Sequence, residues 1–447
     1  MSESSKRLSL GAKGLIGLAA GLGFGAAIAA TRNPVLLSAG NAVELAGKLW
    51  INAILMTIVP LVFSKLFVSV AATDDRRGLN RAGKRAALTF IALLVVTAVL
   101  AAVLMPLLFA RLPIDAEASA SLRTGVSTSA GERSKPSEWI MAVVPTNAVK
   151  AASDAAMVPL VVFAAAFALG ATRIADAQRQ TLVQFFQAVD AAISLLLGWI
   201  VTLSPYGVFA LCVGLAMRVG TGIVSALGYY VLVASIALIL CTAGLYLLVA
   251  LGARISPRRF ASACAPAQVV ALSTHSSAAS LPAMIEGTER LHLPQTATGF
   301  VLPLSLAVFK YSSPVWFLGA TFFVSRLYDI PVAPSRVIPT VVMAVITSFA
   351  VGGVPSGAAV MVGPVLLAAG LPIEAMGLLI AVDPLPNAFR TVANVTGMLA
   401  VTALSCGTEA RVENSVPVGP RPDELNSIGA RVQPGVDQHA SGPAARG

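Results

Sequence analysis

The chain alternates between long apolar stretches and short charged segments, and the length of the apolar stretches predicts its elements. A helix needs about 20 mostly apolar residues to cross a bilayer. Several stretches reach that length with at most one charge, namely residues 14–30, 50–72, 86–110, 191–217 and 229–251. A further apolar region, residues 139–170, contains Pro145, Lys150, Asp154 and Pro159 and predicts a helix in pieces.

The second half of the chain carries two small polar segments inside apolar flanks. Residues 273–282 read Ser-Thr-His-Ser-Ser-Ala-Ala-Ser-Leu-Pro, and residues 351–357 read Val-Gly-Gly-Val-Pro-Ser-Gly. Each predicts a re-entrant hairpin whose non-helical tip lines a cavity, because lipid does not tolerate exposed irregular backbone. A long apolar segment with polar interruptions follows each one, at residues 302–324 and 376–404. A hairpin followed by a broken helix, twice, indicates the inverted repeats of a transporter.

Composition narrows the class of protein. Of 447 residues, 56% are hydrophobic and 12% are charged, whereas soluble domains carry about 25% charged residues. A soluble enzyme, a disordered protein and a nucleic-acid binder are therefore excluded. Lys and Arg crowd residues 76–85 and 254–259, which predicts cytoplasmic N- and C-termini in a plasma membrane or bacterial inner membrane. Residues 411–447 predict a disordered cytoplasmic tail.

Arg390 lies deep within the last apolar segment, where a charge costs about 2.5–3.5 kcal/mol. Helical spacing places Asp383, Asn387, Thr391 and Asn394 on the same face. One interpretation is an internal pair of Asp383 with Arg390 that holds helices together. The interpretation we favour is that the Arg390 guanidinium binds a substrate carboxylate with two parallel hydrogen bonds.

These motifs resemble one family over nearly all of the apolar region. They are Ile-Val-Pro-Leu-Val at residues 58–62, Val-Pro-Thr-Asn at 144–147, the serine-rich segment, and Arg-Thr-x-x-Asn-Val-x-Gly at 390–397. The chain resembles the dicarboxylate/amino acid:cation symporters, which include glutamate and archaeal aspartate transporters. The resemblance implies an all-α integral membrane protein with eight transmembrane helices, two re-entrant helical hairpins, inverted repeats, a homotrimer and elevator-type movement. It further implies a scaffold with peripheral helices at residues 1–255 and a transport core at residues 256–410.

The resemblance also implies which residues bind substrate. Serines of the first hairpin tip and residues of the last helix form the pocket, while the second tip, residues 354–358, gates its outer side. The implied set is Ser276, Ser277, Ser313, Val354, Ala358, Asn387, Arg390, Thr391 and Asn394. Amino-acid transporters of the family have an Asp for the substrate's ammonium group where this chain has Asn387. A substrate with carboxylates and no amine, such as a C4-dicarboxylate, is therefore favoured.

The family's sodium ligands are not retained. Its Asn-Met-Asp-Gly-Thr stretch is Phe-Lys-Tyr-Ser-Ser at residues 309–313, and the ligating Asp of its last helix is Met398. Hard cations bind oxygen ligands, so we do not expect sodium coupling at these positions. Lys310 is a candidate replacement that would supply the cation's charge, neutralised by Asp383, or would exchange a proton, because burial disfavours its charged form. The alternative is that Lys310 points into a water-filled crevice and has no functional role.

Other functions stay open at this point. A sodium-coupled glutamate or aspartate symporter and a non-transporting membrane sensor are the alternatives. No nucleophile with a base, no metal spacing and no phosphate loop indicates an enzyme or a cofactor, and His275 reads as a hydrogen-bonding residue of the hairpin tip. The expected partners are a small anionic substrate, the lipid bilayer and two further copies of the chain, without nucleic acid.

Overall fold

A computed structural model describes residues 10–71, 81–112, 144–154, 156–219, 222–351 and 357–406. Within these ranges the chain forms seventeen α-helices and one 3-10 helix, and no strand. The predicted tail, residues 411–447, lies outside the described residues.

Eight helices make up the described part of the first half. They are α1 (Leu10–Thr31), α2 (Pro34–Ala71), α3 (Arg81–Phe109), α4 (Ala148–Ser153), α5 (Met157–Ala171), α6 (Asp176–Thr202), α7 (Ser204–Val219) and α8 (Gly222–Gly252). Five of them, α1, α2, α3, α6 and α8, are long and apolar enough to cross a membrane. The helical membrane class predicted from the sequence agrees with this.

The predicted span at residues 191–217 is wrong in its boundaries. Helix α6 begins at Asp176 and ends at Thr202, and α7 starts afresh at Ser204. Pro205 has no backbone N–H to continue the hydrogen-bond ladder of α6. Polar residues such as Arg179 and Asp190 interrupt the first half of α6, so hydropathy alone placed the span too late.

Nine further α-helices and the 3-10 helix follow. They are α9 (Pro257–Thr274), α10 (Leu281–Arg290), α11 (Gln295–Val308), α12 (Ser313–Leu327), α13 (Pro334–Ala350), α14 (Gly357–Val360), α15 (Gly363–Ala369), the 3-10 helix Ile373–Ala375, α16 (Met376–Val382) and α17 (Pro384–Cys406). Helix α9 packs on α10, and α13 packs on α15, where the two hairpins are predicted. The tip of the second pair, residues 352–356, lies outside the described residues.

Both predicted interruptions of the apolar segments are breaks in helices. Helix α11 ends at Val308 and α12 begins at Ser313, so residues 309–312 join them without helical structure. Asp383 joins α16 to α17. Proline occupies the first turn of each second helix, as Pro314 and Pro384, where its missing N–H costs nothing.

The breaks lie between two apolar clusters. One cluster unites α2, α7, α12, α15 and α16. The other unites α3, α8, α9, α11 and α17. Helices α3 and α8, which the prediction assigns to the scaffold, pack on α12 and α17 of the predicted transport core. Each broken helix therefore begins in one cluster and ends in the other, which holds the two breaks inside the protein.

Helices α1 and α7 approach so closely that three glycines are required. A Cβ atom on any of them would overlap a carbonyl oxygen of α7; the pairs are Gly17 with Pro205, Gly21 with Phe209, and Gly25 with Val213. Small residues at four-residue spacing permit such backbone contact between membrane helices.

We predict that Gly21→Val separates α1 from α7, because the new Cβ meets backbone of Phe209 and the Cβ of Cys212. Overpacking of this kind costs about 1–3 kcal/mol. Thermal unfolding in detergent should show a Tm lowered by several degrees. The control Gly23→Val adds a side chain where nothing lies within 4 Å and should leave Tm unchanged; equal shifts in both variants would contradict the packing.

Candidate functional site

Arg390 of α17 is bound by a carboxylate of its own chain. Its Nη1 donates to Asp383 Oδ1 at 2.8 Å, and its Nη2 donates to Asp383 Oδ2 at 3.2 Å and to Asn387 Oδ1 at 2.7 Å. The side chains of Arg390 and Asp383 are 5% and 1% exposed. The internal ion pair, one of the two interpretations of the sequence, is thus present in this structure.

Aromatic and polar side chains of two other helices lie near this pair. The indole ring of Trp316 in α12 lies 4.8 Å from Arg390 Cζ, a cation–π contact that nothing in the sequence indicated. The buried Trp316 indole N–H and the hydroxyls of Ser313 and Tyr230 have no hydrogen-bond partner in the part of the chain described. Buried polar groups are nearly always bonded, so these three groups are free to bind a polar ligand or water.

Lys310 lies in the non-helical stretch between α11 and α12. Its Nζ donates to Ser277 Oγ at 3.2 Å and to the Leu306 carbonyl at 3.1 Å, and the residue is 6% exposed. Within the described ranges no carboxylate lies within 4.0 Å of its Nζ. The predicted neutralisation of Lys310 by Asp383 is therefore wrong in this structure, because Asp383 pairs with Arg390.

Asn394 connects α17 to the break between α11 and α12. Its Oδ1 accepts hydrogen bonds from the backbone N–H of Ser312 at 3.0 Å and from the Ser312 hydroxyl at 2.9 Å. Thr391, also predicted in the pocket, donates to the Asn387 carbonyl of its own helix at 2.8 Å. Ser312 was missed by the sequence analysis, which had assigned a role only to the neighbouring hydroxyl of Ser313.

The tip of the first helix pair contains the two predicted serines. Ser277 contacts Lys310, whereas the Ser276 hydroxyl accepts from the Ala279 N–H at 3.3 Å and supports the turn. His275 ends α9 in a left-handed conformation with φ 54°, and its backbone N–H donates to Ala271. The exposed His275 thus contributes to the turn through its backbone.

The remaining predicted residues are only partly described. Ser313 begins α12 and is buried, and Ala358 is buried in α14. Val354 lies outside the described residues. The structure therefore brings together Lys310 with the first tip and Arg390 with Asp383.

Mostly apolar side chains occupy the positions at which the resemblance places the family's sodium ligands. The ring of Phe309 stacks on Phe90 of α3, with ring centroids 4.6 Å apart and an interplanar angle of 18°. The Tyr311 hydroxyl donates to the Cys241 carbonyl at 3.1 Å, and Met398 is fully buried in the same cluster. Among the described residues no group of three or more His, Cys, Asp or Glu side chains could hold a metal ion.

A cavity of about 380 Å³ lies beside the site, between α8, α9 and α17. Its lining is mostly apolar and includes Ile239, Phe389 and Val392. At its polar end Gln268 Nε2 donates to the Tyr246 hydroxyl and to Thr396 Oγ1, each at 2.8 Å. This hydrogen-bonded link joins α8 and α9 to α17 near the segment that carries Arg390.

Comparison with known proteins adds an independent observation. A family model described as the sodium:dicarboxylate symporter family matches residues 10–406. The proton/glutamate-aspartate symporter of Escherichia coli (strain K12) is 27% identical over 82% of this chain and 85% of its own length. The proton/sodium-glutamate symport protein of Bacillus subtilis (strain 168) is 27% identical over 80% and 84%, and the C4-dicarboxylate transport protein of Paracidovorax citrulli (strain AAC00-1) is 24% identical over 80% of both chains.

The relatives are named as symporters or transport proteins, so the expectation of a transporter rather than an enzyme is confirmed. The family match covers nearly the whole described part, including both helix breaks and the buried ion pair. The chain therefore belongs to the sodium:dicarboxylate symporter family and is a secondary transporter of the membrane.

Proposed function

We propose that this protein moves a C4-dicarboxylate across the bacterial inner membrane without sodium at the family's usual ligand positions. The observation that carries the proposal is the apolar contact of Phe309 with Phe90, next to the buried Lys310. A carbon-lined position offers no oxygen ligand to a hard cation. The Lys310 ammonium, next to Phe309 in the chain, already supplies a positive charge.

The choice of substrate rests on the charges around Arg390. A substrate amine would need a free carboxylate, and the carboxylate beside Arg390, that of Asp383, is already held by the guanidinium. Asn387 is neutral, and its side-chain oxygen accepts from Arg390. A dicarboxylate such as succinate, fumarate or malate fits better than aspartate or glutamate. The relative from Paracidovorax citrulli, named for C4-dicarboxylate transport, supports this substrate class.

Arg390 retains the capacity to bind substrate while it is paired. A guanidinium has five N–H donors, and Asp383 and Asn387 accept three of them. The two that remain, Nε–H and one Nη1–H, lie on different edges of the guanidinium. A substrate carboxylate would therefore accept from one of them, or from Nε and Nη2 together once it displaces the Asn387 side-chain oxygen. Serines of the first hairpin tip, Ser276 and Ser277, would bind the other end.

Proton coupling is the coupling mode we propose. Lysine is a compact ammonium that readily loses its proton when buried, and Lys310 is buried without a carboxylate partner in the described ranges. The Escherichia coli relative is named for proton symport. The second candidate, a sodium-coupled glutamate or aspartate symporter, is favoured by the Bacillus subtilis relative's name and disfavoured by Phe309, Tyr311 and Met398.

The proposal includes the family architecture: eight membrane-spanning helices, two re-entrant hairpins, elevator-type movement of residues 256–410, a homotrimer and cytoplasmic termini. The five long apolar helices and the paired helices α9 with α10 and α13 with α15 support it. A non-transporting sensor would have no need of two broken helices joined by the contact of Ser312 with Asn394, which favours transport.

Uptake into proteoliposomes tests the proposal. Labelled succinate and labelled aspartate are offered under an inward sodium gradient, an inward proton gradient, or neither. We expect succinate uptake that is driven by the proton gradient and unchanged by sodium, with little aspartate uptake. The Arg390→Lys variant should lose at least nine-tenths of succinate uptake, because an ammonium cannot form the planar two-point contact. Sodium-dependent aspartate uptake would contradict both the substrate and the coupling mode.

The buried ion pair predicts a stability effect separate from transport. Asp383→Asn leaves Arg390 charged and uncompensated, which costs about 3–5 kcal/mol when the pair is buried. Thermal unfolding in detergent should show a large fall in Tm. The control Glu286→Gln weakens the pair with Arg290, in which the side chains of Glu286 and Arg290 are 54% and 46% exposed, and should cost only about 0–1 kcal/mol. Similar Tm values for the two variants would argue against a structural role of the Asp383 pair.

A further inference from the structure

We propose that the Lys310 ammonium and the Ser277 hydroxyl form a second carboxylate subsite, which makes the transporter selective for substrates with two carboxylates. The inference rests on the proposed function and adds to it. It assigns to Lys310 a direct contact with substrate, in addition to supplying the positive charge of a bound cation.

Charge pairing singles out Lys310. The described part of the chain buries five charged side chains, those of Glu44, Arg179, Lys310, Asp383 and Arg390. Four have an ion-pair partner: Glu44 with Lys48 and Arg218, Arg179 with Asp176, and Asp383 with Arg390. Lys310 has none among the described residues. A buried charge is unfavourable unless it is paired, so the empty site holds one positive charge that an anion would balance.

Unused hydrogen-bond donors also indicate that an anion binds at Lys310. An ammonium has three donors, and Lys310 uses two of them, toward Ser277 Oγ and the Leu306 carbonyl. Ser277 accepts from Lys310, and its own hydroxyl hydrogen has no acceptor among the described residues. A carboxylate oxygen placed between these two groups would receive both donors as charge-assisted hydrogen bonds. Ser277 is half-buried at the tip of the first helix pair, so the subsite is not sealed.

Lys310 is linked to α17, the helix that carries Arg390. It comes two residues before Ser312, whose N–H and hydroxyl bind the Asn394 side chain. Asn394 lies one helical turn after Arg390 on the same face of α17. The contact of Ser312 with Asn394 therefore connects the segment of Lys310 to the helix of Arg390. We expect a four-carbon dianion to have one carboxylate at each cation.

Binding to the purified full-length protein tests the subsite. Isothermal titration compares succinate with its monoamide succinamate, which has the same length and one carboxylate fewer. Wild-type protein should bind succinate at least tenfold more tightly than succinamate. Lys310→Met should weaken succinate binding at least tenfold and bring the ratio of the two Kd values close to one, and Lys310→Arg should restore part of the preference. The control Lys48→Met, at an exposed lysine on α2, should leave both Kd values unchanged.

A second variant covers the case in which Lys310→Met fails to fold. Ser277→Ala removes one donor at the tip and should reduce the succinate preference severalfold while a single thermal transition is retained. A wild-type preference that survives in both Lys310→Met and Ser277→Ala would overturn the subsite and leave the proposed dicarboxylate function standing. If wild-type protein binds neither compound, the proposed function itself fails, and the subsite with it.

Discussion

A charge inside an apolar helical protein must be balanced by another charge, and this constraint governs the centre of the structure. Asp383 lies in the break between α16 and α17, and Arg390 lies two turns further along α17. Their two-point contact, covered by the Trp316 ring, keeps both charges out of lipid. Because Trp316 belongs to α12, the same contact links the last helix to the other broken helix.

The break between α11 and α12 also requires that its polar groups have partners inside the protein. The four residues between the two helices are not helical, so their backbone groups need other hydrogen-bond partners inside the protein. Asn394 supplies one to Ser312, while Phe309 and Tyr311 turn into the apolar cluster with Met398. The chain is a membrane transporter of the sodium:dicarboxylate symporter family, and our proposal is that carbon atoms occupy its cation-ligand positions while Lys310 supplies the positive charge.

The sequence predicted the features that depend on local pattern. Both helix breaks and the helix pairs at the serine-rich and glycine-rich segments follow from residue spacing. Contacts between distant segments could not be predicted. Helical spacing allowed the pair of Asp383 with Arg390 as one interpretation, but only the fold shows that Arg390, and not the distant Lys310, receives this carboxylate. Trp316 and Phe90 look like ordinary apolar residues until the packing is known.

Succinate binding to purified protein, measured by titration in sodium chloride and in N-methylglucamine chloride at equal ionic strength, tests the central claim most directly. That claim is that Lys310, a residue of the protein, takes the role of the bound cation. It predicts the same Kd for succinate in both salts, because succinate binding then requires no bound sodium. A Kd at least tenfold lower in sodium would contradict it, and would mean that other oxygen ligands form a sodium site when substrate binds.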